Sequence, residues 1–419
     1  MKTSQLSEKL KGSEIIKIAG DVRTMQSQGE QIFNLTIGDF DSKIFPIPSE
    51  LKNQIIEAYQ SDLTNYPAGN GELVLRKSVS DYLNRNLGLD YSENEILISG
   101  GARPLIYAVY QTILDLDDTV LYPVPSWNND AYTYLSRNNE IAIETKVENK
   151  FMPTAEEMKP HIQKANLIAV CSPLNPTGTT FEKLELEQIC ELILSENRRR
   201  KELDLKPLYL LYDQIYWQLT YGETEHYNPV SLHPEMRNYT IFIDGISKAF
   251  ASTGVRVGWA FGPTDIINKM KDILSHIGAW APKPEQVATA KFLEMQPEVV
   301  KYLLHIKSEL NFRLNAFYKE FNQMKSDGYA VDVIQPEAAL YLTVKFDLIG
   351  KETADGRKLN SVKEITTYLL SEAKVALVPF YAFGASNDVN WFRLSVGTTK
   401  RSDISKISEN LKKAMDLLK

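Results

Sequence analysis

The sequence predicts an α/β protein, a three-layer, mostly parallel, seven-stranded sheet joined to a smaller α+β domain. Seven short apolar runs carry the first part of that prediction: Glu95–Ser99, Thr119–Pro123, Ile141–Thr145, Asn166–Cys171, Leu208–Asp213, Thr240–Asp244 and Arg256–Phe261. They are rich in Val, Ile, Leu and Tyr and too short for helices. Helical patterns fall between several of them, notably Arg103–Leu114 and Phe181–Arg200, and such alternation implies parallel strands covered on both faces. The length of 419 residues exceeds what one core ordinarily organises. A large unit is therefore expected over residues 46–310, with a smaller one built from residues 1–45 and 311–419. Its last helix, Ser402–Leu418, carries Ile404, Ile407, Leu411 and Leu418 at helical spacing, the pattern of a core face.

Composition narrows the function classes. The chain is 43% hydrophobic and 24% charged, with a net charge of −7, which suits a folded protein and gives no basic field for nucleic acid. The one arginine run, Arg198–Arg200, is interrupted by Glu196, Glu202 and Asp204 and reads as a solvated helix end. No apolar stretch has the length of a membrane span, and Met1–Gly20 lacks the apolar run of a signal peptide. The two cysteines, Cys171 and Cys190, form no disulfide framework and no metal-spaced cluster. A cytoplasmic, metal-free protein is the expectation.

In a parallel sheet, functional residues gather where the strands' carboxyl ends meet, and several polar motifs follow the apolar runs directly. Asp244-Gly-Ile-Ser247-Lys248 places a lysine just past a strand. Burial and nearby cations would lower its pKa and free the amine as a nucleophile toward an aldehyde. Arg256, eight residues on, suits bidentate capture of a phosphate ester, and Gly245 and Gly254 would let backbone approach a bulky ligand. Asp213, in Tyr-Asp213-Gln-Ile-Tyr216, ends a strand and needs a partner, which a protonated pyridine nitrogen would supply. Asn175, in Ser-Pro-Leu-Asn175-Pro-Thr-Gly, would donate to a phenolate oxygen, and Trp127, in Pro-Ser-Trp127-Asn, would stack on a ring. Gly100-Gly101-Ala102-Arg103 joins a strand to a helix, an arrangement that suits an anion. Arg393 sits inside the apolar strand Trp391-Phe-Arg393-Leu-Ser and calls for a carboxylate. Each segment alone also reads as ordinary structure: a surface lysine, an N-cap aspartate, a turn, a core tryptophan, an internal ion pair.

Their joint order resembles the class I/II aminotransferases, pyridoxal-phosphate (PLP) enzymes of fold type I, over nearly the whole chain. Gly245-Ile-Ser-Lys248-Ala-Phe-Ala-Ser-Thr-Gly254-Val-Arg256-Val-Gly258 is most similar to the bacterial-type aspartate aminotransferase branch. The resemblance implies that Lys248 holds PLP as a Schiff base and then shuttles a proton. Asp213 would pair with the ring nitrogen, Tyr216 and Asn175 with the phenolic oxygen, and Trp127 would stack on the ring. Gly101, Ala102, Arg256 and Ser247 would hold the phosphate. Arg393, with backbone at Gly38, would clamp the substrate α-carboxylate. Tyr66 would reach the neighbouring subunit's phosphate, which implies a homodimer acting on an amino acid and a 2-oxo acid.

The chain departs from the branch's pattern in several places. Ala102-Arg103 stands where Gly-Lys is common, Val255 replaces a tryptophan, Pro336-Glu-Ala-Ala339 lacks a glycine, and Phe380 stands at a frequent glycine. Arg103 would pair with a distal carboxylate, favouring aspartate or glutamate, unless it faces outward on its helix. The alternatives are a neutral or aromatic substrate pocket using Tyr107, Trp280, Phe380 and Tyr381, a carbon–sulfur β-lyase, or a non-catalytic module.

Overall fold

The computed structural model describes residues 3–10 and 12–419. Its central sheet contains β1 (Ile96–Ser99), β2 (Thr119–Val124), β3 (Asn139–Glu144), β4 (Leu167–Cys171), β5 (Tyr209–Asp213), β6 (Thr240–Gly245) and β7 (Gly258–Phe261). They lie side by side in the order β1-β7-β6-β5-β4-β2-β3. Six strands share one direction and β7 alone runs against them. The expected seven-stranded, mostly parallel sheet is therefore present.

Side chains alternate between its two faces, as the pleat requires. Ile96, Ile98, Ile168, Val170, Leu210 and Tyr212 enter one core, with the helices Leu73–Leu87, Lys183–Glu202 and Lys283–Glu294. Leu97, Leu167, Ala169, Leu211 and Ile241 enter the other, against the helices Ala102–Ile113 and Thr264–Ile277. Because both faces are covered, the central strands read as unbroken apolar runs.

One strand starts later than its composition suggests. Arg256 was expected to open the seventh strand, but its φ is +62° and the strand begins at Gly258. The left-handed turn belongs to the loop that carries the guanidinium back toward the sheet's edge.

A second core surrounds an antiparallel sheet of β8 (Val331–Val333), β9 (Tyr341–Phe346), β10 (Val378–Pro379) and β11 (Trp391–Ser395), in the order β10-β11-β9-β8. Phe33, Leu35 and Phe45 join this core, and Phe33–Asn34 pairs in parallel with Val375–Ala376. The helix Gln296–Ser326 serves both bodies. Val299 packs in the first core, and Ile306, Leu310, Leu314 and Phe317 pack in the second. The residue-310 division thus falls inside a continuous helix. The last helix, Ile404–Asp416, buries Ile404, Ile407, Leu411, Ala414 and Met415, with Leu418 partly covered beyond its end. Among the described residues, no helix is long and apolar enough to cross a membrane.

Candidate active site

Strand direction explains where the polar residues meet. The carboxyl ends of β1, β2, β4, β5 and β6 share one edge of the sheet with the amino end of the opposed β7. Gly101, Trp127, Asn175 and Arg256 lie in loops at that edge, Asp213 is the last residue of β5, and Lys248 sits in the short helix Ile246–Ala249 that follows β6. All but Gly101, which sits behind the wall against Arg256, line a cavity of about 640 Å³, together with Gly38, Ala102, Arg103, Tyr216, Ser247 and Arg393. That volume lies within the range of small-molecule sites.

At one end, three glycines let backbone segments close on each other. Gly101 has φ +99°, and a Cβ there would lie 2.2 Å from Arg256 Nη2. A Cβ on Gly258 would meet Gly101 C at 2.7 Å, and one on Gly245 would meet Gly258 Cα at 2.8 Å. Gly245 is thus required by its neighbouring strand rather than by a ligand, and Gly254 meets nothing within 4 Å. Arg256 donates from Nη1 to Thr253 O at 2.6 Å and from Nη2 to Gly100 O at 2.8 Å. Its charge therefore sits beside the amino end of the helix Ala102–Ile113, where free N–H groups favour an anion. Ser247 also lines the cavity.

The middle of the cavity holds Lys248 and Asp213. Lys248 Nζ donates to Gly38 O at 2.7 Å. Burial pushes its pKa down to about 8, with Arg393 and Arg103 adding to the fall while Asp39 and Asp213 oppose it. Asp213 accepts from Ile215 N at 3.0 Å. Burial pushes its carboxyl up to about 6, held back by that N–H and by Lys248. Tyr216 packs beside Lys248, and its hydroxyl shares a 2.7 Å hydrogen bond with the Tyr341 hydroxyl. Burial raises the Tyr216 phenol well above its ordinary range, so it stays protonated.

At the far end Arg393, 1% exposed, donates from Nη1 to Asn175 Oδ1 at 2.9 Å and from Nη2 to Thr36 O at 2.6 Å. Its Nε has no partner among the described residues. The guanidinium lies between the rings of Tyr341 (4.7 Å) and Phe383 (4.8 Å), and neither acceptor is a carboxylate. A buried cation without a counter-ion favours an incoming anion. Gly38 passes so close that a Cβ would lie 2.7 Å from Tyr341 Oη.

Arg103 is exposed on the rim, with its guanidinium 5.2 Å above the Trp127 ring. Tyr66 lies outside this cavity. It is 82% exposed and packs edge-on against Trp280 in a separate groove.

Several expectations need correction. Tyr107, Trp280, Phe380 and Tyr381 do not line the cavity. Phe380 is buried against Phe151 in a satellite cluster, Trp280 belongs to the Tyr66 groove, and Tyr381 borders a small cleft behind the helix Glu14–Ser27. The apolar wall comes instead from Ile15, Ile16, Ile37, Ile106 and Ile215. Sequence reading also passed over Tyr341 and Asp39. Both sit beside segments it did single out, Pro336–Ala339 and Gly38, but neither shows a pattern before the chain folds.

These residues fit pyridoxal phosphate. The glycine-lined cradle with Arg256 would take its phosphate, and the Asp213 carboxyl, which meets no arginine among the described residues, would take its ring nitrogen. The Asn175 side chain gives its oxygen to Arg393, which leaves its NH₂ for the phenolic oxygen.

Comparison with known proteins agrees. The family model for aminotransferase class I and II matches residues 30–410. An aspartate aminotransferase of Bacillus sp. (strain YM-2) is 29% identical over 92% of both chains. A probable aspartate/prephenate aminotransferase of Rickettsia conorii is 27% identical over 98% of this chain and 97% of its own. The crystal structure of the Rhizobium meliloti aspartate aminotransferase superposes with a TM-score of 0.91 at 26% identity, covering all of both chains. The chain therefore belongs to the class I and II aminotransferases and is a PLP-dependent transferase of amino groups.

Proposed function

We propose that this aminotransferase prefers a dicarboxylic amino acid, aspartate or glutamate, and passes its amino group to a 2-oxo acid. The observation that carries the proposal is that, besides Arg256 in the phosphate cradle, two more guanidinium groups line the cavity, Arg393 at its floor and Arg103 on its rim, both near enough to depress the Lys248 ammonium. Two cationic positions with a reactive amine between them match a substrate with a carboxylate at each end. The names of the relatives point the same way.

Pyridoxal phosphate, when bound, supplies an aldehyde for the substrate nitrogen and a protonated ring that draws electrons from the α-carbon. In this reading Lys248 Nζ attaches the cofactor and afterwards takes and returns the proton at the substrate α-carbon. With a pKa near 8, a usable fraction of neutral amine exists at neutral pH. Asp213, kept from water, holds the ring nitrogen in its protonated state. Asn175 and Tyr216 fix the phenolic oxygen, and Trp127 covers one ring face. Gly101, Ala102, Ser247 and Arg256 anchor the phosphate. Arg393 grips the α-carboxylate with Gly38 beside it, which orients the α-C–H bond. Arg103 pairs with the distal carboxylate.

A homodimer is part of the proposal. It is supported by Tyr66, an 82% exposed aromatic in an open groove with Pro67, Trp280 and Pro282, placed to act outside its own subunit's cavity. A cytoplasmic setting suits two cysteines that are both free.

The test is a single-turnover panel. The cofactor-loaded protein is mixed in turn with aspartate, glutamate, alanine, tyrosine and cystathionine, and cofactor absorbance is followed. Fastest conversion by aspartate or glutamate supports the proposal. Preference for tyrosine or alanine, or steady release of pyruvate and ammonia from cystathionine, overturns it.

A further inference from the structure

The hydrogen bonds around Lys248 run beyond the residues assigned above. Lys248 Nζ gives its proton to the carbonyl of Gly38, and the next residue, Asp39, turns its carboxylate back to Thr253. Thr253 Oγ1 donates to Asp39 Oδ1 at 2.7 Å. The Thr253 carbonyl in turn accepts from Arg256 Nη1, and Arg256 Nη2 reaches Gly100 O. One chain of contacts thus joins the amine to the phosphate cradle, with a half-buried carboxylate at its midpoint.

The backbone of Asp39 has little freedom. A Cβ on Gly397 would lie 2.1 Å from Asp39 O, and Asp41 N donates to Gly397 O at 3.0 Å. The loop after β11 therefore holds this segment from behind, while Thr253 holds its side chain from the front.

We infer that Asp39, tethered by Thr253, is a positioning residue that holds Lys248 toward its proton-bearing form in the cofactor-free protein. This rests on the reading of Lys248 as the reactive amine. The charged and titratable groups facing that amine are few. Arg393 approaches from β11, Arg103 from the helix Ala102–Ile113, Asp213 from β5 and Tyr216 from the turn after it, and Asp39 from the amino-terminal segment. The two arginines and burial favour the neutral amine, and the two carboxylates favour the ammonium. Of the carboxylates, Asp39 has the larger effect on Lys248. Asp213 is committed to the cofactor ring, whereas Asp39 touches only this chain.

The contacts also separate charge from tether. Asp39→Asn keeps an oxygen for Thr253 and removes the charge, Thr253→Val keeps the charge but leaves Oδ1 held only by the Phe40 N–H, and Asp39→Glu restores the charge at a longer reach. The experiment titrates Lys248 in the full chain freed of cofactor, using lysine labelled with ¹³C at Cε, and assigns the signal with Lys248→Arg. The expected midpoint is near 8 in the parent protein. It should fall by about one unit in Asp39→Asn, the size of a lost neighbouring charge, fall less in Thr253→Val, and recover in Asp39→Glu. The acid limb of the rate at which the cofactor-free protein takes up pyridoxal phosphate should move down in parallel. An unchanged midpoint in Asp39→Asn overturns the inference, and one unchanged in Thr253→Val removes the tether from it. Either result leaves amino transfer through Lys248 standing, because the panel above tests that independently.

Discussion

Arg393 and Arg103 occupy the same cavity under opposite conditions. Arg393 is 1% exposed, sits in β11 and is fixed by Asn175, Thr36 and two aromatic rings. Arg103 is exposed, sits in the first turn of a helix and rests on one indole face. The difference separates what the site must do for every substrate from what it does for one. Floor residues come from the ends of sheet strands, and their geometry is fixed by two cores. Rim residues come from helix starts and the amino-terminal segment, where a side chain can change without disturbing either core. On the proposed reading, reaction type belongs to the floor, and substrate choice to the rim.

The largest test of that division is Lys248→Ala. It should lower single-turnover amino transfer by roughly 10²–10⁴-fold, the usual worth of a placed proton-transfer group, for every amino acid alike. A loss confined to aspartate would break the division. Next is Arg393→Lys, which retains charge but loses the planar fork. Losing a hydrogen bond to a charged group costs about 1.5–3 kcal/mol, so kcat/KM should fall by roughly 10–100-fold, again across substrates.

The pH dependence of cofactor capture comes third. Burial lowers Lys248 to about 8, so the protein is fully competent above that value, where the amine is neutral. As pH falls below 8 the ammonium dominates, and the rate at which cofactor-free protein takes up pyridoxal phosphate should fall about tenfold per unit. Stopped-flow absorbance would show it, and a profile flat from pH 6 to 8 would contradict it. The smallest effect is expected for Tyr66→Phe. Losing one hydroxyl hydrogen bond to the partner's phosphate costs about 1 kcal/mol, so cofactor dissociation should quicken by several-fold with the dimer intact in sedimentation. No change in dissociation would remove Tyr66 from the site.

The floor was largely legible in the sequence because burying charge is costly enough to leave a mark. Arg393 in an apolar strand, Asp213 at a strand's end and Lys248 just past one each also read as ordinary structure alone, and it is their joint order along the chain that points to a site. What the sequence did not show depends on partners far along the chain. Tyr341 matters through a hydrogen bond to Tyr216, 125 residues away, and Asp39 through Thr253, 214 residues away. The aromatics chosen for the pocket, Tyr107, Trp280, Phe380 and Tyr381, failed because composition cannot say which face of the fold a side chain meets. Isoleucines supplied the wall instead. Arg256 was misread as the start of a strand because backbone handedness leaves no trace in a run of apolar residues. The large sheet was clear for the opposite reason, since its central strands are buried on both faces and read as unbroken runs.

The most direct measurement compares aspartate with alanine in the parent protein and in Arg103→Ala, by single-turnover kcat/KM for each. If the rim selects the substrate, the variant loses roughly 10–100-fold on aspartate, the worth of one charged hydrogen-bonded pair, while alanine changes little. Equal losses on both amino acids, or none on either, would place Arg103 outside substrate recognition and contradict the division between floor and rim.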